Sequence, residues 1–291
     1  MASDLAVKQD RIDQSSGVRI SHSGGVTGGS DTETRKNDTQ VTIQEIKQAL
    51  EQAGNAELPA LLDFYRKDSR AGVRKAVEAF EKRQKALEAE YARIYEMQAY
   101  ERSYEALGVI CGIDEAGRGP LAGPVSAAAV ILPKDCKLLY VNDSKKLSEK
   151  KREELYDEIM ETAVSVGVGL VSPGRIDEIN ILQATYEAMR EAVSRLSPEP
   201  QVCLNDAVTI PELPVPAKQV PIIKGDARSL SIAAASIIAK VTRDRLMREY
   251  DKLYPEYGFA GHKGYGSAEH MAAIRKYGMT PIHRRSFLKN L

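Results

Sequence analysis

The sequence predicts an α/β fold, a layered sheet flanked by helices, with a helical extension in front of it. Three observations carry this prediction. After Gly108, strand-like apolar runs are mixed with helical patterns as far as the C-terminus, the texture of a sheet covered by helices. Before it, from 42 to 106, the apolar residues recur at helical spacings. Between the first two strand-like runs lies only a glycine-rich link, 117–123, hairpin-like enough to make those strands antiparallel.

Residues 1–40 are rich in Ser, Gly, Thr, Asp and Lys and read as a disordered tail. Residues 41–106 form the extension. Ile43, Ile46 and Leu50 mark a short amphipathic helix ended by Gly54, and 58–64 suggest a second. A third runs from about 69 to about 106, with Phe80, Leu87, Tyr91 and Ile94 as a narrow apolar seam. Such a seam packs on neighbouring helices or on the main domain, a reading preferred over a coiled-coil dimer or a duplex-gripping arm because the seam is short and interrupted by Gln84. Residues 107–291 form that domain. Strands are predicted at 109–113, 125–132, 163–171, 201–204 and 219–223, and helices at 148–160, 181–196, 229–254 and 268–277. Ser148 is a helix N-cap, and Pro173-Gly174 separates strand from helix.

An apolar content of 43 % is ordinary for a globular protein and sufficient for a sizeable core. The formal charge of zero conceals an asymmetry. Residues 224–291 hold 13 Lys/Arg and 6 Asp/Glu, net +7, which leaves residues 1–223 at −7. A basic region of this kind suits a polyanion. Cys111, Cys136 and Cys203 are odd in number and far apart, which suggests neither a disulfide framework nor a paired-cysteine metal site. The first 40 residues lack an apolar signal segment, and no run approaches the roughly 20 apolar residues of a membrane span. These features predict a cytoplasmic protein without a membrane partner.

Asp114 and Glu115 follow the first strand-like run, Asp206 follows the fourth and Asp226 the fifth. Singly, each acid could cap a helix or begin a turn. Jointly, they stand where ligands bind in open α/β sheets, beyond the carboxyl ends of strands. Carboxylates that converge repel one another unless a cation neutralises them. An all-oxygen set favours Mg²⁺ or Mn²⁺ over zinc, and such ions serve phosphoryl transfer.

The turn that follows, Gly117-Arg118-Gly119, is neither a Walker A loop nor a dinucleotide fingerprint. Its glycines allow close approach of a ligand, and Arg118 offers a forked donor. Ser144, Lys145 and Lys146 lie in a polar loop suited either to phosphate contacts or to capping the next helix. Tyr265 stands among glycines at 261–266, where an aromatic ring can stack on a sugar or base, or simply occupy a turn.

Five segments together resemble bacterial type 2 ribonuclease H, the ribonuclease HII family. They are Asp-Glu-Ala-Gly-Arg-Gly (114–119), Asp-Ser-Lys-Lys-Leu (143–147), Lys-Gly-Asp (224–226), Ala-Ala-Ser-Ile-Ile-Ala-Lys-Val-Thr-Arg-Asp (234–244) and His-Lys-Gly-Tyr-Gly (262–266). The likeness covers about 108–291, in the family's order, and 42–106 looks like an extension found on some bacterial members. The resemblance implies a ribonuclease H-like mixed sheet and an endonuclease that cuts the RNA strand of RNA–DNA hybrids and ribonucleotides embedded in duplex DNA. It implies two-metal-ion hydrolysis with Mn²⁺ or Mg²⁺, leaving 5′-phosphate and 3′-hydroxyl ends. Asp114, Glu115, Asp206 and Asp226 would then be the catalytic, metal-binding carboxylates. Gly117, Arg118 and Gly119 would read the ribose 2′-hydroxyl and Tyr265 would stack on the neighbouring deoxyribose, with Ser144, Lys145, Lys146, Lys224 and Lys263 also on the nucleic acid. One departure is visible: Asn205 precedes Asp206 where the family usually has an apolar residue. Strand alternation points Asn205 away from the Asp206 side.

Two other readings compete: a related metal nuclease acting on DNA, and a silent hybrid-binding adaptor. Intact acids count against the adaptor, since binding alone has no use for them beside a phosphate backbone. The enzyme is read as a monomer, its protein partners unknown, with an extension that adds affinity or stability but no chemistry.

Overall fold

The structure, a computed structural model, describes residues 41–289, so the tail predicted for 1–40 lies outside the described residues. Its centre is a five-stranded sheet in the order β3-β2-β1-β4-β5. The strands are β1 (Ile110–Ala116), β2 (Val125–Ile131), β3 (Ser165–Val171), β4 (Val202–Asp206) and β5 (Lys218–Ile222). β2 is antiparallel to both β1 and β3, whereas β4 and β5 continue parallel to β1. The sheet is mixed, and its antiparallel half begins at the 117–123 link.

Among the described residues, four α-helices precede the sheet: α1 (Ile43–Gln52), α2 (Leu58–Arg66), α3 (Ala71–Met97) and α4 (Ala99–Tyr104). Among and after the strands come α5 (Glu149–Thr162), α6 (Pro173–Ser194), α7 (Leu230–Leu253), α8 (Phe259–His262) and α9 (Ala268–Tyr277). Small residues let helices lie close on both faces. β2 is buried throughout, with Ala128 and Val130 in the core beneath α7 and Ala127 and Ala129 in the core beneath α6. A Cβ on Gly112 of β1 would stand 2.1 Å from the Ser231 carbonyl carbon, so only glycine admits α7 there. Gly169 of β3 does the same for α6, whose Ala188 carbonyl oxygen would be 2.0 Å away.

Several predicted boundaries move. β1 does not stop before the acids: Asp114 and Glu115 stay paired with Ala128 and Ala127 of β2, because backbone pairing is indifferent to the side chains carried. The predicted helix at 181–196 is the second half of α6, which begins at Pro173 and kinks at Asn180 (φ 67°). The Asn180 carboxamide oxygen then caps the second half, accepting from the Leu182 and Gln183 N–H groups. The long helix at 69–106 is broken at Gln98, whose Nε2 donates to the Cys136 carbonyl at 2.9 Å where the chain bends onto the sheet domain.

The apolar seam of α3 also divides. Phe80 packs with Ile46, Leu50, Val73 and Val77 in a small core made by α1, α2 and the first half of α3. Ile94 and Met97 enter the main core beside Leu138 and Val141. Tyr91, between them, is exposed. Burial of such apolar side chains is worth about 1.5–3 kcal/mol each and favours docking of this end of α3 on the main domain.

Candidate active site

Parallel pairing of β1 with β4 places Ile113 beside Asn205, so the next residues, Asp114 and Asp206, emerge side by side at one end of the sheet. Asp206 Oδ1 accepts the Gly225 N–H at 2.7 Å, which ties β4 to the turn Gly225–Ala227 that carries Asp226. Lys224 enters this turn in the left-handed conformation (φ 57°). Gly225 has to be small: a Cβ there would lie 2.6 Å from Ile232 Cδ1 and 3.3 Å from Asp206 Oδ1. Glu115 completes the group, with Oε1 accepting from Arg118 Nη1 at 3.2 Å.

Asn205 turns to the opposite face. Its Nδ2 donates to the Val208 carbonyl at 3.1 Å and to Gln219 Oε1 at 2.9 Å, and Gln219 in turn holds both backbone groups of Ile210. The polar residue before Asp206 thus pins the loop between β4 and β5.

The glycine turn faces Tyr265. A Cβ on Gly119 would stand 3.6 Å from Cε1 of its half-exposed ring. Two buried arginines brace this arrangement: Arg284 clamps the turn itself, and Arg243 ties it to the segment before Tyr265. Arg284 donates from Nη2 to the Gly117 carbonyl (2.6 Å), from Nη1 to Arg118 (2.8 Å) and from Nε to Gly123 (2.9 Å). Arg243 donates from Nε to Pro124, from Nη1 to Lys263 and from Nη2 to Ala122, each at 2.9 Å. Only carbonyls satisfy them, so burial pulls the Arg243 guanidinium down to about 10. It pulls Arg284 down to about 9, with the Arg243 charge adding to the effect. Behind Tyr265, His270 Nδ1 meets the Tyr265 carbonyl at 2.8 Å and His270 Nε2 meets His283 Nε2 at 3.0 Å.

The family described as ribonuclease HII matches residues 111–290, and its N-terminal domain matches 42–105. The chain belongs to the ribonuclease HII family. It is 61 % identical over 251 residues to the ribonuclease HII of Lachnoclostridium phytofermentans, spanning 86 % of this chain and 98 % of that one. With the ribonuclease HII of Enterococcus faecalis it shares 55 % over 248 residues, 84 % and 96 % of the two chains. Among solved structures, the ribonuclease H2 of Pyrococcus horikoshii superposes with a TM-score of 0.53 at 32 % identity, covering 61 % of this chain and 93 % of that one. As a ribonuclease HII the chain is a phosphodiester hydrolase of the ribonuclease H type, acting on RNA–DNA hybrids.

Ribonuclease H enzymes depend on a divalent metal, and the donor set of this ribonuclease HII fits one chemically. Burial first, and then the Glu115 carboxylate, push the Asp114 carboxyl well above its usual range; the Ser236 hydroxyl works against the shift and Asp206 adds to it. Burial raises Glu115 too, opposed by Arg118. Asp226 is raised by burial and then by Asp143 and Asp206. Anions in this condition are relieved by a cation, and oxygen donors suit a hard one. Among the described residues, no three His, Cys, Asp or Glu side chains are gathered tightly enough to hold an ion as they stand. Like charges keep apart until a cation lies between them.

Two side chains expected on the nucleic acid turn inward instead. Ser144 is buried with its hydroxyl 3.0 Å from that of Ser236, because the 144–146 turn packs against α7. Lys263 is buried too, its ammonium donating to the Ala260 carbonyl and lying 3.8 Å from Glu149. Lys145, Lys146 and Lys224 remain exposed. Sequence reasoning did not single out Asp143, Ser236, Arg243, Arg284, His270 or His283. Asp143 lies within the 143–147 segment, and Ser236 and Arg243 within the 234–244 segment, that carry the family likeness; Arg284, His270 and His283 lie outside all five segments. Among the described residues, no helix is long and apolar enough to cross a membrane.

Proposed function

We propose that this ribonuclease HII cleaves the RNA strand of RNA–DNA hybrids and single ribonucleotides embedded in duplex DNA. The products would carry 5′-phosphate and 3′-hydroxyl ends. One observation carries the proposal: acids from three separate segments meet at one sheet end, directly beside a glycine turn that faces an exposed tyrosine. Acids alone are indifferent to the sugar. The adjoining turn supplies discrimination, since the 2′-hydroxyl is the group by which proteins tell RNA from DNA.

Asp114, Glu115, Asp206 and Asp226 would hold two divalent ions, Mn²⁺ or Mg²⁺, whose chemistry when bound is activation of the attacking water and charge stabilisation at the leaving 3′-oxygen. The backbone of Gly117 and Gly119 approaches the ribose without side-chain obstruction, and Arg118 donates to its hydroxyl. Tyr265 presses on the next sugar, where a deoxyribose fits and a ribose is crowded. Lys145, Lys146 and Lys224 take the phosphates. On this reading the enzyme would serve ribonucleotide removal from DNA, in the cytoplasm.

The test is a duplex carrying one ribonucleotide, incubated with and without Mg²⁺ or Mn²⁺. Metal-dependent cleavage on the 5′ side of that nucleotide is expected, and none when its 2′-hydroxyl is replaced by hydrogen. Equal cleavage of the all-deoxy duplex would replace this reading with that of a DNA nuclease.

A further inference from the structure

Glu101 lies in α4, the last helix of the N-terminal extension, yet its carboxylate reaches the turn that carries Asp226. Its Oε1 accepts three hydrogen bonds: from Ser229 Oγ at 2.7 Å, from the Ser231 N–H at 2.9 Å and from Ser231 Oγ at 2.7 Å. Ser229 is the N-cap of α7 and Ser231 belongs to its first turn. An anion from another part of the chain therefore sits at the positive end of the helix that packs against β1 and β2.

The connection continues into the site. The Ser229 N–H donates to the Gly225 carbonyl at 2.8 Å, and the Gly225 N–H donates to Asp206 Oδ1 at 2.7 Å. Three hydrogen bonds thus run from the extension to an active-site carboxylate, and Asp226 lies inside the loop between Gly225 and Ser229. A second contact flanks the same turn: the Arg228 guanidinium stands 5.3 Å from the centroid of the Tyr100 ring. Glu101 is not all that docks the extension, because Ile94 and Met97 are buried elsewhere in the main core.

We propose that Glu101 is a positioning residue of the active site: through it, the extension fixes the Gly225–Ser229 turn and hence the placing of Asp226 against Asp206. The inference rests on the four-carboxylate reading given above. It gives the extension a part in metal binding without a part in the chemistry.

The test compares full-length Glu101→Gln and Glu101→Ala with the wild type and with Asp226→Asn, using Mn²⁺ as the probe. Glutamine keeps the shape and an acceptor at Oε1 and loses the charge, while alanine removes both acceptor and charge. Glu101→Ala should weaken Mn²⁺ binding in calorimetry by about 10-fold, the scale seen when groups behind metal ligands are removed. The Mn²⁺ concentration for half-maximal cleavage should rise in parallel, with KM for the duplex unchanged and Glu101→Gln in between. Wild-type Mn²⁺ affinity in both variants, or a defect confined to Tm, would overturn the proposal while leaving the four-carboxylate reading in place, provided Asp226→Asn loses metal and cleavage. If Asp226→Asn binds Mn²⁺ and cleaves normally, the site reading fails and this inference falls with it.

Discussion

Gly119 and Tyr265 face each other across the site so closely that a methyl group on the glycine would touch the ring edge at 3.6 Å. That is ordinary van der Waals contact, and Gly119 does not adopt a left-handed backbone. Gly119→Ala should therefore fold with an unchanged Tm but narrow the slot between turn and ring, lowering cleavage at a single ribonucleotide more than duplex binding. Gly117→Ala should behave differently. Gly117 has φ +89°, and its Cβ would lie 2.1 Å from Arg243 Nε, so a loss of about 1–3 kcal/mol or more is expected in denaturant titration.

Asp114→Asn should abolish cleavage and yet raise the Tm of the metal-free protein. The folded state raises the Asp114 pKa, so the ionised group opposes folding, increasingly as pH rises through and above the ordinary carboxylate range. An amide removes that penalty and keeps the shape. Scanning calorimetry in chelator near pH 7 checks the sign, and a lower Tm for the variant would mean that the charge is satisfied within the fold. Added Mn²⁺ should stabilise the wild type and not the variant.

Much of this site was legible in the sequence because its acids follow apolar runs, and strand ends on one edge of a sheet converge. The parallel register of β1 and β4 then brings Asp114 and Asp206 together. Orientation was not legible. Ser144 and Lys263 look like surface groups in a polar loop and a basic region, and only packing against α7 and α8 turns them inward. Arg243 and Arg284 read as ordinary cations, since no sequence pattern shows that carbonyls from 117–124 will surround them. Nor does the amphipathic pattern of the extension reveal that it breaks at Gln98 and sends Glu101 toward α7.

Acid should loosen the support behind Tyr265. The Thr280 N–H donates to His283 Nδ1 at 2.9 Å, which leaves His283 Nε2 to donate to His270 Nε2, and His270 Nδ1 to donate to the Tyr265 carbonyl. Both rings are neutral in this relay, and burial lowers His270 and takes His283 to about 4. From about pH 6.5 down to about 4 the unfolded chain binds protons that the folded one refuses, so stability falls as pH falls across that window. Denaturation curves at several pH values should show this slope, and His283→Gln should flatten it. An identical slope in the variant would remove His283 as its source.

Arg284→Lys should be far from conservative. One ammonium cannot span the carbonyls of Gly117, Arg118 and Gly123, and each buried acceptor left unpaired costs about 1–3 kcal/mol. Tm should drop, and discrimination between ribo- and deoxyribonucleotide should decline more than duplex affinity. Retained discrimination would show that the turn needs no clamp.

Duplex binding should weaken steeply with salt although the chain is formally neutral. Lys145, Lys146 and Lys224 are exposed near the acids, and each phosphate they neutralise releases counterions. A plot of log affinity against log salt should slope downward, and Lys145→Ala/Lys146→Ala should make it shallower. A flat line would mean that these lysines face away from the duplex.

The divided seam of α3 gives this molecule a lever. The small core of α1 and α2 closes at Phe80, and the main core takes hold again at Ile94, so between them the helix buries no side chain fully. At 1.5 Å per residue that span is about 20 Å long, and a tilt of about 10° at its root swings the far end by roughly 4 Å. The two cores should exchange their amide hydrogens as separate units, the distal one at lower free energy, because it has fewer buried contacts to break. Shortening the span by whole helical turns would reel that distal unit in along a nearly constant heading, whereas removing two residues would rotate it to the other side of the arm.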